Sequence, residues 1–347
     1  MENEITKEIP LLRKDGHLTK EGWARHPYFK YDRKQINGGN LTIKEWDYYA
    51  ITNQVDQYSI AVTISDLGYI SLVSISYIDL KLKKVVQCEK TFILPLGSTK
   101  LAPSSGGNSY VSKSSPSLRM CFIVKYKRRH LIFGAPNLIL PDGSVGLSGD
   151  LILTKQREND ESLNIATSWK EKRTAFYLNE KINCLDVAGT ITRGYKTEQI
   201  KPLSTFAVLD WGRGKWTYKN TWYWSSCSAL VDNEHFGFNL GYGFTDRTPA
   251  SENAIIYRGK IHKLEEVNFI IPKDFLNKDW IFESKNNRLN LIFTPLINRN
   301  SNFNIGIIKS NQNQTFGTFS GTAALNDGTI LNIKNLIGFA EKVTNRW

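Results

Sequence analysis

Apolar residues recur at every second position over much of the chain. Tyr58, Ile60, Val62 and Ile64 alternate with Ser59, Ala61, Thr63 and Ser65, a period of two that gives a strand one buried and one wetter face. Asp66-Leu67-Gly68 follows as a turn signal, and the run through Ile75 and Tyr77 completes a hairpin-like pair. The alternation returns in Phe122, Val124 and Tyr126, in Leu289, Leu291 and Phe293, and in Phe303, Ile305 and Ile307, the last two bounded by Asn-rich turns. Asp327-Gly328 is a further hairpin signal. Helical pattern is confined to the N-terminal twenty residues and to Pro272 to Asn277, where short helices are expected. The fold class predicted is all-β.

Residues 97 to 116, GSTKLAPSSGGNSYVSKSSP, lack apolar period and read as a long mobile loop, either a lid or binding loop or a surface excursion. Residues 189 to 202 are polar, with two Gly and a Pro, and mark a weak boundary. Two β units of similar size, 1–195 and 196–347, are expected, and no repeat of 20 to 50 residues supports a propeller or solenoid.

Composition narrows the chemistry. A hydrophobic share of 41% against 22% charged excludes wholesale disorder, and the net charge of +12 makes the surface basic. The basic runs at 81–84 and 125–130 alternate with apolar residues, as solvated outer faces of strands do, so no nucleic-acid partner is expected. Cys88, Cys121, Cys184 and Cys227 are more than 30 residues apart and read as buried thiols, and the five histidines lack ligand spacing. No metal and no cofactor is therefore expected. The start, MENEITKEIPLL, lacks the basic and apolar regions of a secretory signal, and no uninterrupted apolar run is long enough for a transmembrane segment, which points to a cytoplasmic protein. The oligomeric state is left open.

The aromatic residues localise the candidate site. Four of nine tryptophans, Trp211, Trp216, Trp222 and Trp224, fall in one stretch. If 205–211 is a strand, Phe206, Val208 and Asp210 share one face, and Ala207, Leu209 and Trp211 the other. Asp210 then ends an apolar row, where desolvation raises a carboxyl's pKa toward that of a general acid; the alternative is a structural pair with Arg213 or a cap on the Gly212-Arg213-Gly214 turn. Trp222 and Trp224 share a face and would form a flat wall for a ring or polyene ligand, unless they are simply packed. Glu252 and Asn253 add a second carboxylate and an amide, either facing the same cavity or pinning a strand corner. Nearer the N-terminus, Arg25, Lys44, Glu45 and Asp47 are placed to form salt bridges stacked on Trp23 and Trp46 as a structural clasp.

These stretches carry a resemblance. GWARHPYF at 22–29, IKEWDYYAI at 43–51, TSWKEKRTAFYLNEKINCLDVAG at 167–189, LDWGRGKWTYKNTWYW at 209–224, GFNLGYGFTDRTPASENAIIYRGKIHKL at 237–264, FGTFSG at 316–321 and the closing GFAEKVTNRW with Arg346-Trp347 together resemble the bacterial domain-of-unknown-function family 2804, nearly end to end. The fold this implies, two lipocalin-like β-barrels or half-barrels in tandem, is similar to that of carotenoid hydratases, tocopherol cyclases and related isoprenoid or polyketide cyclases. Those relatives imply a cavity in which an acid and aromatic walls protonate an alkene without a cofactor. By that analogy the expected function is binding of an apolar, ring-bearing or isoprenoid-like molecule, with acid-catalysed hydration, isomerisation or cyclisation. Asp210 would be the acid, Arg213 or Glu252 would set its protonation, and Trp211, Trp216, Trp222, Trp224 and Asn253 would line the ligand. A non-catalytic carrier with the same cavity is the alternative, followed by a carbohydrate-active protein using Asp210 and Glu252.

Overall fold

A computed structural model describes residues 2–305 and 308–346; Ile307 and Trp347 lie outside the described residues. The expected alternation folds into two large antiparallel sheets. The first runs Lys84–Ile93, Ile70–Asp79, Tyr58–Asp66, Ile43–Asn53, Thr205–Lys215, Lys172–Arg193, Val145–Thr154, Arg128–Ile139, Leu118–Lys125 and Ser109–Ser115, with shorter strands beside Lys172–Arg193. It curls into a nearly closed barrel. The Cys88 thiol reaches the carbonyl of Ser117 at 3.5 Å and the Lys113 ammonium lies 5.4 Å from the Phe92 ring, which brings its two ends together. The second sheet, a half-barrel, runs Lys260–Lys263, Ala254–Tyr257, Glu234–Tyr242, Lys219–Val231, Ile330–Arg346, Ile308–Ala324, Leu289–Ile305, Trp280–Ser284 and Val267–Ile270.

Each sheet buries one face around its own core. Ile51, Ile60, Val62, Phe122, Phe133, Leu151 and Leu209 fill the barrel, and Phe236, Phe238, Phe282, Phe293 and Phe319 the half-barrel. The alternate faces meet each other rather than water: Tyr48, Ala50, Ala61, Val208, Trp224, Phe316 and Phe339 form a third apolar layer between the sheets. Thus Ser59 and Ala61, on the wetter face expected from sequence, are buried at 0% and 1% exposure. The long strand Lys172–Arg193 joins the layers through a bulge between Ile182 and Leu185, where Cys184 takes a positive φ of 58°. A bulge re-aims the residues beside it. Here Asn183 donates to Ser226 Oγ at 2.9 Å and to the Phe238 carbonyl at 3.0 Å, and the Cys184 amide donates to Ser228 Oγ at 3.0 Å.

Three local expectations change. The division by sheet falls between Lys215 and Lys219, not at 195/196, because the polar stretch 189–202 is a hairpin: Lys196–Gln199 folds back on Lys172–Arg193, and Thr205–Lys215 then fills the gap between that strand and Ile43–Asn53. No helix forms over the first described residues or over 272–277. Ile9–Pro10 pairs in parallel with Phe29–Lys30, and the second segment is a single turn in which the Asn277 and Lys278 amides donate to the Asp274 carbonyl; Pro10 would break a helix interior. The Ser-rich 97–116 loop is tied down: Gly97 donates to Asp66, the Ala102 carbonyl accepts from Arg213, Ser105 Oγ donates to Glu180, and Ser109–Ser115 is a strand paired with Leu118–Lys125. No helix among the described residues is long and apolar enough to cross a membrane.

The gap-filling strand is the point at which the barrel is most sensitive. Leu209, 1% exposed at its centre, should cost about 2–5 kcal/mol when cut to alanine, whereas Leu203→Ala at the exposed turn should stay within about 0.5 kcal/mol. Urea unfolding of the two variants checks this; equal effects would mean that Thr205–Lys215 is dispensable to the barrel.

Candidate active site

A cavity of about 150 Å³ opens between the sheets. Its walls are two rows of residues, one on each sheet, generated by register. On the first sheet Lys181 pairs with Asp210, Asp210 with Tyr48, Tyr48 with Thr63 and Thr63 with Ser74 across five adjacent strands. On the second, Trp224 pairs with Glu341, Glu341 with Gln314 and Gln314 with Arg299. All of these side chains line the cavity. Period-two alternation sends the intervening residues into the cores, so a polar row can sit between two apolar layers.

The charges are concentrated on Lys181, whose side chain is only 3% exposed. Its ammonium stands 2.9 Å from Asp210 Oδ1 and 4.0 Å from Glu252 Oε2, and lies 3.9 Å from the centre of the Trp224 ring. Asp210 also accepts from Asn179 Nδ2 at 2.5 Å. Opposite, Glu341 accepts from Trp222 Nε1 at 3.1 Å and from Gln314 Nε2 at 3.3 Å, and Gln314 in turn donates to the Tyr48 hydroxyl oxygen at 2.9 Å. Burial pushes the Glu341 carboxyl up to about 7; the Trp222 hydrogen bond and the Lys181 charge oppose that rise, and the negative charge of Asp210 adds to it. Glu252 is raised by the same cause, burial, with Lys181 opposing and Asp210 reinforcing.

Aromatic rings close the remaining sides. Trp46 stacks on Tyr177 with centroids 5.8 Å apart, Trp216 stacks on Phe244 at 4.9 Å, and Trp222 meets Trp216 edge-on at 5.5 Å. Two glycines make this possible by lacking a side chain. A Cβ at Gly212, the register partner of Trp46, would stand 2.1 Å from the indole, and one at Gly241, opposite Trp224, would stand 2.9 Å from Glu252 Oε2.

Of the residues singled out in the sequence, Asp210, Glu252, Trp216, Trp222 and Trp224 line this cavity together. Trp211, Arg213 and Asn253 do not. Trp211 points into the barrel, edge-on to Tyr31 at 6.2 Å. Arg213, two residues on, shares that face: it lies 4.1 Å over Trp211, bonds Asp47 at 2.9 Å and the carbonyls of Trp46 and Ala102, and cannot set the protonation of a carboxyl on the opposite face. Asn253 pins a corner by accepting from the Gly241 amide at 3.0 Å. The expected clasp is split: Arg25 lies 5.0 Å over Trp23 and bonds Glu4 and Glu161, Lys44 donates to the Leu41 and Leu67 carbonyls, and Glu45 and Asp47 serve Arg213. Sequence reasoning missed Lys181, Glu341, Gln314, Tyr48 and Trp46. Glu341 carried the signal used for Asp210, a lone carboxylate in the alternating row Phe339-Glu341-Val343.

Comparison with known proteins fits this architecture. A protein of Nitrosomonas europaea provisionally assigned as AttH matches with a TM-score of 0.55 at 13% identity, over 91% of this chain and 97% of its own. CghA, solved with Sch210972, matches with a TM-score of 0.52 at 10% identity, over 89% and 92%. Kievitone hydratase of Nectria haematococca aligns over 100% and 97% at 13% identity, with the lower TM-score of 0.47. For the first two the likeness is one of fold, the tandem lipocalin-like arrangement. Among curated proteins none matches the sequence. Residues 2–347 match the family described as a domain of unknown function, DUF2804, and the chain belongs to that family.

Proposed function

We propose that the cavity between the sheets binds the apolar, ring-bearing part of a small isoprenoid-like molecule and protonates it. The observation that carries this reading is Glu341: a carboxyl poised at about 7, held by Trp222 and Gln314, inside aromatic walls. A general acid is most effective when its pKa lies near the working pH. The cavity's 150 Å³ is of the order that holds one benzene-sized ring, so a longer substrate would extend through the mouth.

The step balances with groups of this chain. The Glu341 O–H bond breaks as its proton adds to one carbon of a double bond, leaving a carbocation on the other and a carboxylate on Glu341. The faces of Trp222 and Trp46 stabilise the cation by about 2 kcal/mol each where water is excluded, while the Trp224 face holds the Lys181 ammonium. Water adding to the cation and returning a proton to Glu341 gives hydration; attack by a second double bond closes a ring and moves the cation to it, and loss of a proton from the carbon beside that new cation to the Glu341 carboxylate completes cyclisation; loss of a proton beside the first cation to the carboxylate gives isomerisation. Asp210 and Lys181 form the fixed ion pair beside the acid; burial keeps the proton on Glu341, and the Asp210 charge adds to that effect.

A carboxyl raised above its unfolded value of about 4.5 binds more protons in the folded state. Its stabilising contribution is therefore complete below pH 4.5 and is lost as pH rises through 7. Glu341→Gln removes that loss and should unfold at a higher temperature than the wild type at pH 8.5, by up to about 3 kcal/mol of stability, with the two proteins converging at pH 4.5. Thermal melts across this range check it, and parallel curves would show that Glu341 titrates normally.

Function is tested by extracting and identifying the small molecule that co-purifies with the protein from its own host, then using it as substrate. Glu341→Gln should bind it with near wild-type affinity but turn it over about 10²–10⁴-fold more slowly, and Asp210→Asn should move the pH–rate profile toward acid, because a charge that adds to the effect of burial is gone and Lys181, which lowers Glu341, is left without its partner. Binding with no turnover by the wild type would establish a carrier instead; unchanged turnover by Glu341→Gln would remove the acid assignment.

A further inference from the structure

The strands that wall the cavity have a second face, and it forms a second site. Trp222, Trp224, Glu341, Val343, Gln312 and Gln314 point to the first sheet, while Tyr223, Lys342, Thr344, Arg346, Asn311 and Asn313 point into the half-barrel. There they border a cup of about 1110 Å³. Its floor is aromatic: Tyr223 stacks on Tyr242 with centroids 4.7 Å apart, and Phe269 meets Tyr242 edge-on at 5.1 Å, with Trp280 buried beneath.

The rim is cationic in a way that folding alone disfavours. Register sets Lys219, Arg346 and Lys309 directly opposite one another on three adjacent strands. Like charges so placed repel, and sequences ordinarily relieve them with an acidic neighbour. Lys219, Arg346 and Lys309 have no ion-pair partner among the described residues, nor do Lys342 and Lys273; all but Lys219 line the cup, and none of the residues lining it is acidic. Two rows in, Lys342 lies 5.6 Å from the Tyr223 ring. From Arg346 to Lys342 is four residues of strand, about 13 Å, the distance over which the wall changes from basic to aromatic.

We propose that the cup binds an amphiphile with an acidic head group, its apolar chain on Tyr223, Tyr242, Phe269 and Trp280 and its head at Arg346 and Lys309 on the rim, where Lys219 on the next strand adds its charge. This site is independent of the proton chemistry on the opposite face. The test is calorimetric titration of the full chain with dodecanoate, with dodecyltrimethylammonium as the cationic counterpart. Dodecanoate should bind, more weakly as salt is raised, and at least tenfold more tightly than the cationic amphiphile. Lys309→Glu gives Arg346 an opposite charge, so it should leave the melting temperature unchanged or higher while weakening dodecanoate at least tenfold; Tyr242→Ala, on the floor, should weaken it without altering the preference for the anion. No binding of dodecanoate, equal binding of the cationic amphiphile, or unchanged affinity in a folded Lys309→Glu protein would overturn the proposal.

Discussion

One ammonium, Lys181 Nζ, organises the space between the sheets. It is almost wholly buried, and burying a charge is tolerable only when partners replace the lost water. Asp210 meets it at 2.9 Å and the Trp224 ring at 3.9 Å, with Glu252 at the edge of reach. Asp210 is the carboxylate it meets most closely, which leaves Glu252 and Glu341, farther from the ammonium, in low-dielectric surroundings. Burial raises both carboxyls, that of Glu341 to about 7, against the opposing charges of Lys181 and, at Glu341, Arg299. Within this constraint the aromatic walls have a second effect beyond contact area, since by excluding water they keep the carboxyls desolvated.

Strand alternation distributes these functions. Each strand at the interface presents one set of side chains to a core and another to the cavity, so Trp211 and Asp210, or Lys342 and Glu341, are chain neighbours in different compartments. The two sheets are held in the necessary alignment by specific polar links rather than by apolar contact alone. Asn183 reaches Ser226 and the Phe238 carbonyl from the bulge, Gln54 donates to the carbonyls of Ser228 and Ile337 and accepts from the Ile337 amide, and Arg299 donates to Ser76 Oγ. An unmade bond of this kind would leave a buried donor or acceptor exposed to the full desolvation penalty, so these links fix register as apolar side chains do not.

Much of this was legible in the sequence where its physics is local. Period two marked the strands, and the same parity put Asp210 and Trp211 on opposite faces and joined Trp222 to Trp224. That parity also excludes Arg213 from Asp210's side, an implication that the tempting nearness of the two in sequence obscures. Glu341 was masked by its neighbours Lys342 and Thr344, which make its stretch look like an ordinary solvated edge, although they belong to the face turned toward the half-barrel. Lys181 and Asn179 were hidden in a strand whose polar residues face both ways, Glu180 into the barrel with Ser105 and Ser162, Asn179 toward Asp210. Ser, Gly and Pro in 97–116 carry no apolar signal even though the segment is bonded to Asp66, Glu180 and Arg213, since composition does not report long-range hydrogen bonds.

The central claim is that a protonated carboxyl resides at Glu341 near neutral pH. The most direct measurement is infrared difference spectroscopy of the carboxyl stretching region through a pH titration, comparing wild type with Glu341→Gln. The account predicts a protonated-carboxyl band in the wild type that disappears with a midpoint near pH 7 and is missing from the variant. If every carboxyl of the wild type is already ionised by pH 5.5, or the same band persists in Glu341→Gln, the acid is not Glu341 and the account fails.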